Sequence, residues 1–274
     1  MHLPRSLLTW RSSSGIRVEK RPAIAGFSRR SHQHLGCRVS KRISTHFRLC
    51  CIVSPGASIL YREICLQCRR PKESCLCPTE PAMSLRTKIV LLMHLKEWRR
   101  ERCGTGRLAF LHIANAEIIP GTAFDAQPRV RALIDNPANY PVLLYPGEPS
   151  TDLSKPGSGV GLAAASGSKR IVAFLVDSTW SCSKAVLRDS PGLLALPRLM
   201  FTPQTPSRWL IKKQPGPFCL STLETVHELL MALEKAGLED YPDKERLLAA
   251  FAAMQRYQIE RAEENGRPRY LRRP

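Results

Sequence analysis

The chain has 274 residues, 43% of them hydrophobic, enough to bury one core of roughly 200 residues with smaller attachments. No apolar run approaches the ~18 residues a membrane-spanning helix needs, which argues against a membrane protein. The net charge of +19 favours a polyanionic partner, because phosphates attract Lys and Arg and release counterions on binding.

That charge is uneven. Residues 1–60 carry eleven Lys or Arg against one acid, Glu19; they are rich in Ser and show no helical or strand periodicity, so disorder is expected there. Three readings stay open for this extension: a basic RNA-binding tail, a transit-like segment, or a stretch upstream of the true start. The expected layout is this extension (1–60), a Cys-rich unit (61–82), an α/β domain (83–240), and a C-terminal helix with a basic tail (241–274).

Cys65, Cys68, Cys75 and Cys77 place four thiols within thirteen residues. That is enough for a closed tetrahedral zinc shell with no place for a catalytic water; uncoordinated thiols or an iron centre are the alternatives. With no apolar secretory leader visible, a reducing compartment, the cytoplasm, is expected. Cys103, Cys182 and Cys219 read as ordinary small residues.

Through the next segment, residues 88–93 read as a buried strand, 106–116 as a helix presenting Leu108, Leu111 and Ile113, and 142–145 as a strand stopped by Pro146 and Gly147. The Gly-, Ser- and Ala-rich residues 155–169 read as a flexible loop. A nucleotide-binding loop is rejected there, because the third glycine of the pattern is missing and no strand leads into it.

Residues 171–176 form a further strand ending on Asp177, followed by a short helix (181–188) and a strand (198–202). Ser221 and Glu224 have capping-box spacing. Leu223, Val226, Leu230 and Leu233 follow at helical intervals, Gly237 can close that helix, and 243–265 continue as another. Strands alternating with helices imply a mostly parallel sheet whose ligands gather at the strands' carboxyl ends.

Asp177, Ser178, Thr179 and Trp180 resemble the signature of the DTW-domain family of tRNA-uridine aminocarboxypropyltransferases, relatives of the knotted SPOUT methyltransferases. Other segments agree in order: the four cysteines, His94 with Glu97, residues 105–109, 144–148, Gln214 with Pro215, and 221–224. The family's Asn-Thr-Gly is here Gly104-Thr105-Gly106, and its Arg before Gln-Pro is replaced by Lys212 and Lys213, which keep charge without the bidentate fork.

The resemblance implies a SPOUT-like α/β fold with a C-terminal trefoil knot, S-adenosylmethionine (SAM) as co-substrate, structural zinc, and tRNA as partner. No feature points to an obligate protein partner. It also implies that Leu144, Tyr145, Pro146, Gly147, Gln214, Pro215, Leu220, Ser221, Thr222 and Glu224 form the SAM pocket. Ordinary turns, and a helix cap at Glu224, are the alternatives.

The nucleophile of such a reaction is uridine N3, whose proton is only weakly acidic, so a base within reach is needed. Asp177 is the candidate, with a helix-capping carboxylate or a substrate-positioning role as the alternatives. Thr179 can donate a hydrogen bond, and Trp180 either stacks on a base or fills the core. His94, Arg107, Lys212 and Lys213 are candidates for RNA contact; His94 and Arg107 could instead position the SAM carboxylate, and a structural role is the alternative for His94. Rival functions are SPOUT-type RNA methylation and a non-catalytic zinc-containing RNA-binding module.

Overall fold

The structure, a computed structural model, describes residues 63–101 and 104–266; the expectations for residues 1–60 and Cys103 lie outside them. After a short 3-10 turn at Lys72–Ser74, the elements in chain order are β1 (Lys88–His94), α1 (Leu95–Arg100), α2 (Thr105–His112), β2 (Glu117–Gly121), α3 (Pro128–Ile134), β3 (Asn139–Leu144), β4 (Thr151–Asp152), α4 (Ser158–Ser166), β5 (Arg170–Asp177), α5 (Trp180–Arg188), α6 (Pro191–Leu194), β6 (Arg198–Met200), α7 (Thr222–Lys235) and α8 (Lys244–Glu264). The strands form one all-parallel sheet in the order β2-β1-β5-β3-β6-β4.

The alternation of side chains along each strand divides the core in two. On one face Ile89, Leu91, Val142, Ala173 and Leu175 pack against Leu108 of α2, Leu223, Val226 and Leu230 of α7, and Leu247 and Phe251 of α8. On the other, Val90, Leu92, Leu143, Val172 and Phe174 meet Val130 and Leu133 of α3, Val186 and Leu187 of α5, and Leu193 of α6. With both faces covered, the centres of β1 and β5 must be apolar, which is why 89–93 and 171–176 read as continuous runs. Each fully buried Leu or Phe contributes roughly 1.5–3 kcal/mol.

The segment 155–169 is not a loop. Nine of its residues form α4, opened by Gly157 at φ 79° and closed by Gly167 at φ 55°. Its Ala-rich centre favours helix, Leu162 is buried, and Gly159 lets α4 meet the end of α7: a Cβ there would stand 2.4 Å from that of Ala236. The helix expected over 106–116 stops at His112, because the backbone of Ile113 turns to bridge Met83. The Met83 amide bonds the His112 carbonyl, and the Ala114 amide the Met83 carbonyl.

The capping box forms as expected and starts α7. Gly237, at φ 72°, ends it with paired bonds from the Gly237 and Leu238 amides back to the Glu234 and Leu233 carbonyls. Glu239, buried, accepts from the Arg86 and Thr87 amides at 2.9 and 2.7 Å, fixing the chain just before β1.

Candidate active site at the carboxyl ends of the strands

The register between β1 and β5 pairs Met93 with Asp177. The two strands therefore end side by side, and α1 leaves β1 beside the carboxylate. Asp177 is buried. Its Oδ1 accepts from the Thr222 hydroxyl, at the start of α7, at 2.7 Å. A Cβ on Gly106 would stand 2.1 Å from its Oδ2, so glycine is needed for α2 to begin against this carboxylate. Burial raises the Asp177 pKa above the usual carboxylate value, opposed by the Thr222 hydroxyl and the charges of Lys212 and Arg107. Desolvation outweighs these partners because a buried anion loses far more hydration than distant cations return.

Asp177 does not cap α5. Thr179 is the N-cap, its Oγ1 accepting from the Cys182 amide at 3.4 Å and lying 3.2 Å from Ser181 Oγ. The helix-capping alternative for Asp177 is thereby removed, and the Thr179 hydroxyl is occupied by the helix. Trp180 is 41% exposed, so it does not fill the core.

The irregular segment between β6 and α7 closes the site. Glu224 is buried and accepts from the Ser221 amide at 2.8 Å, the Ser207 hydroxyl at 2.9 Å and the Arg208 amide. Gln255 of α8 accepts from the Leu210 amide and donates to the Arg208 carbonyl at 3.0 Å, and Trp209 packs edge-on against Phe251. With its amide oxygen toward Trp209 Nε1 and its nitrogen toward the Cys219 carbonyl, Gln214 braces the same segment. These anchors hold residues 212–215 over Asp177.

Two adjoining cavities result. A slot of about 230 Å³ runs between Leu144, Tyr145 and Pro146 at the end of β3, Met200 and Phe201 at the end of β6, and Phe218. A polar cavity of about 370 Å³ is lined by Asp177, Glu97, Lys212, Lys213, Gln214 and Pro215, with Ser221 at its edge. Ser178, Trp180, Leu220 and Thr222 line both and form the shared wall. Gly147, at φ 108°, turns the chain beyond the slot and lines neither cavity. Glu224 also lines neither; its oxygens are taken by the bonds above.

His94 is the N-cap of α1, its Nδ1 accepting from the Lys96 amide at 3.2 Å. Arg107 donates to the Trp98 carbonyl at 2.7 Å and lies 4.3 Å over the Trp98 ring, which Arg69 also approaches at 4.9 Å. Two arginines on one indole form a basic surface continuous with the four-cysteine unit. Lys212 pairs with Glu101 at 2.8 Å. Gly104, where the family's Asn would stand, begins α2 without a side-chain cap.

Residue-by-residue reading missed Glu97. It entered only through its spacing from His94, whereas the structure sets it inside the polar cavity with Asp177. Burial first, then the Asp177 charge, raise its pKa. Phe218 and Phe201 were also missed, since nothing local marks an aromatic residue in an irregular segment as a cavity wall.

The four cysteine sulfurs all lie within 4.8 Å of one another. Cys65–Cys77 and Cys68–Cys75 are each separated by 3.7 Å, close to the ~3.8 Å edge of a tetrahedron with metal–sulfur bonds of about 2.3 Å. Amides of Cys68 and Gln67 lower the Cys65 thiol to about 6, whereas burial raises that of Cys77, so ligation by all four as thiolates needs the charge of the cation itself. The set fits a tetrahedral metal ion. Arg69, in the left-handed region at φ 57°, makes the tight turn after Cys68, its amide bonding the Cys65 carbonyl at 2.8 Å. Arg261 of α8 ties the unit down through Glu73 at 2.9 Å.

Among known proteins, the chain is similar to tRNA-uridine aminocarboxypropyltransferase 2 of Drosophila melanogaster, 29% identical over 179 residues, which are 63% of this chain and 67% of that protein. It is similar to the Mus musculus protein of the same name, 29% identical over 178 residues, and to that of Macaca fascicularis, 25% identical over 179. Each of these two matches covers 64% of this chain but only 57% of the relative's length. No solved structure matches. The DTW domain model matches residues 62–259, a span that runs from the four cysteines through both cavities into α8, and the chain belongs to the DTW domain family.

Proposed function

We propose that this protein transfers the 3-amino-3-carboxypropyl group of SAM to N3 of a uridine in tRNA, releasing methylthioadenosine. The observation that carries the proposal is the buried carboxylate of Asp177 beside the wall between an apolar slot and a polar cavity. The names of the fly and mouse relatives agree with it.

SAM is a sulfonium with three displaceable carbons, so the carbon aimed at the nucleophile decides the product. In our reading the slot takes the adenosine, and Leu144, Tyr145, Pro146 and Leu220 supply its walls. The methionine portion then crosses the shared wall at Trp180 and Thr222 into the polar cavity, where it meets the uridine. Asp177 accepts the N3 proton. The N3 pair forms the bond to Cγ, and the Cγ–sulfur bond breaks with its pair left on sulfur, giving neutral methylthioadenosine. The raised pKa strengthens Asp177 as a base, and the proton then passes to solvent.

Thr179 and Glu224 are positioning residues in this scheme: the first orients Trp180 by starting α5, the second holds the segment that carries Lys212 to Thr222. Gly147, His94 and Ser221 shape the turns around the two cavities. Arg107, with Arg69, Lys212 and Lys213, supplies positive charge for tRNA phosphates.

We propose zinc for the four cysteines, in a structural role. The cysteine unit, the catalytic domain and the C-terminal helix with its tail then act as one enzyme, in the cytoplasm, where thiolates stay reduced. Among the described residues no helix is long and apolar enough to cross a membrane. A SPOUT-like relation and backbone knot belong to the same proposal; in support, β3, β5 and β6 end together and the chain after β6 returns past Asp177 to α7.

Incubating the full chain with SAM and tRNA, followed by mass spectrometry of the nucleosides, tests the proposal. It expects a uridine heavier by one aminocarboxypropyl group and equimolar methylthioadenosine. A methyl-sized addition assigns SPOUT-type methyl transfer instead. Binding of RNA with no SAM bound and no addition assigns a zinc-containing RNA-binding module.

A further inference from the structure

We propose that Glu97 receives the α-ammonium of the group being transferred, an inference that rests on the reaction proposed above. The group is zwitterionic, with an ammonium and a carboxylate on one carbon, and it must be held so that only Cγ faces the nucleophile. The polar cavity presents both signs of charge, carboxylates from Asp177 and Glu97 and ammonium groups from Lys212 and Lys213. The adjoining slot has no acidic or basic side chain in its wall, so it has nothing to pair with either end of that group.

Of the two carboxylates, Glu97 suits the ammonium. Asp177 has Oδ1 occupied by the Thr222 hydroxyl and Oδ2 set against the start of α2, and it is committed to the N3 proton. The Glu97 carboxylate makes no hydrogen bond or ion pair among the described residues, although it faces Asp177, Glu101 and Lys212. Lys212 is drawn to Glu101 at 2.8 Å, which leaves Glu97 half-buried without a partner cation of its own. A half-buried carboxylate in that state gains a charge-assisted bond when a ligand supplies the ammonium.

Its placement follows from the fold. Met93 pairs with Asp177 across β1 and β5, His94 caps α1, and Glu97, one turn into α1, is brought over the same strand ends. The distance between Glu97 and Asp177 in sequence hides a neighbourhood that the sheet register creates.

Calorimetry on the full chain with three ligands tests this: SAM, methylthioadenosine, which lacks the transferred group, and a SAM analogue with hydroxyl in place of the α-amino group. In Glu97→Gln, SAM affinity is expected to fall about tenfold to hundredfold, the effect of one bond to a charged group. Methylthioadenosine affinity should stay within about twofold, taking that as the ordinary scatter of a change of a few tenths of a kcal/mol.

The wild-type protein should also bind SAM more tightly than the hydroxyl analogue, a comparison that does not depend on the variant folding. Equal losses for SAM and methylthioadenosine, or no preference of the wild type for SAM over the analogue, overturn the assignment. Wild-type protein that binds neither SAM nor methylthioadenosine overturns the parent reaction, and the role of Glu97 with it.

Discussion

The two cavities share Ser178, Trp180, Leu220 and Thr222 but are built from different material. The slot is lined by strand ends and the aromatic side chains of Phe201 and Phe218. The polar cavity is lined by helix starts and by a segment pinned through Glu224 and Gln255. The first can recognise a ligand by shape and apolar contact. The second can move a proton, because it holds a carboxylate whose burial raises its pKa. In the proposed reaction binding and chemistry are separated by one wall, and changes on either side should have separable effects.

The largest effect is expected at Asp177. Asp177→Asn removes the proposed base and should lower kcat by about 10²–10⁴, the usual contribution of general acid–base catalysis, measured in single-turnover assays. In the wild type, kcat/KM should drop by about tenfold per pH unit once the pH falls below the raised Asp177 pKa, because only the ionised form accepts a proton. Stability runs the other way. With its folded pKa above the unfolded value, the folded state binds the extra proton between the two, so stability falls as pH rises through that window. Asp177→Asn should therefore melt higher than the wild type at neutral pH, with the gain absent in acid below the unfolded pKa.

Gly106→Ala comes next. Its Cβ meets Asp177 Oδ2 at 2.1 Å, so carboxylate or helix must move, and a displacement near 1 Å costs about hundredfold in rate. Methylthioadenosine binding, which the proposal places in the slot, should change little in calorimetry. Phe218→Ala should do the reverse, weakening methylthioadenosine roughly threefold to tenfold by removing an aromatic wall while leaving tRNA affinity unchanged.

The smallest effect on the slot is expected from metal removal. Chelation should loosen the turn that carries Arg69 onto Trp98 beside Arg107, weakening tRNA binding and lowering the salt slope by about one for each phosphate that is no longer neutralised. Methylthioadenosine affinity measured on the same sample should remain within about twofold, again a change of a few tenths of a kcal/mol. An equal weakening of both would mean that the cysteine unit supports the whole fold.

Legibility in the sequence tracked burial. The centres of β1 and β5 and the buried end of β3 were readable because strand residues covered on both faces are apolar. β2 was not, since Pro120 and Gly121 interrupt its apolar pattern, although an edge strand tolerates proline. α4 was misread because Gly157, Gly159 and Gly161 suggest a loop, while the reason for Gly159, its approach to Ala236, is a tertiary contact. At the site, Asp177 was visible at a strand end, but Asp, Ser and Thr in succession all suit a cap, and only the backbone assigns it to Thr179. Glu97 met Asp177 through sheet register, which no local pattern encodes.

The central claim concerns which carbon of the sulfonium is attacked, and isotopic labelling addresses it directly. Two preparations of SAM, one labelled in the methyl group and one in the aminocarboxypropyl carbons, would be incubated separately with the full chain and tRNA. The account predicts that only the second label enters uridine, with the first recovered in methylthioadenosine. Methyl label in the RNA, or no label from either preparation, would contradict it.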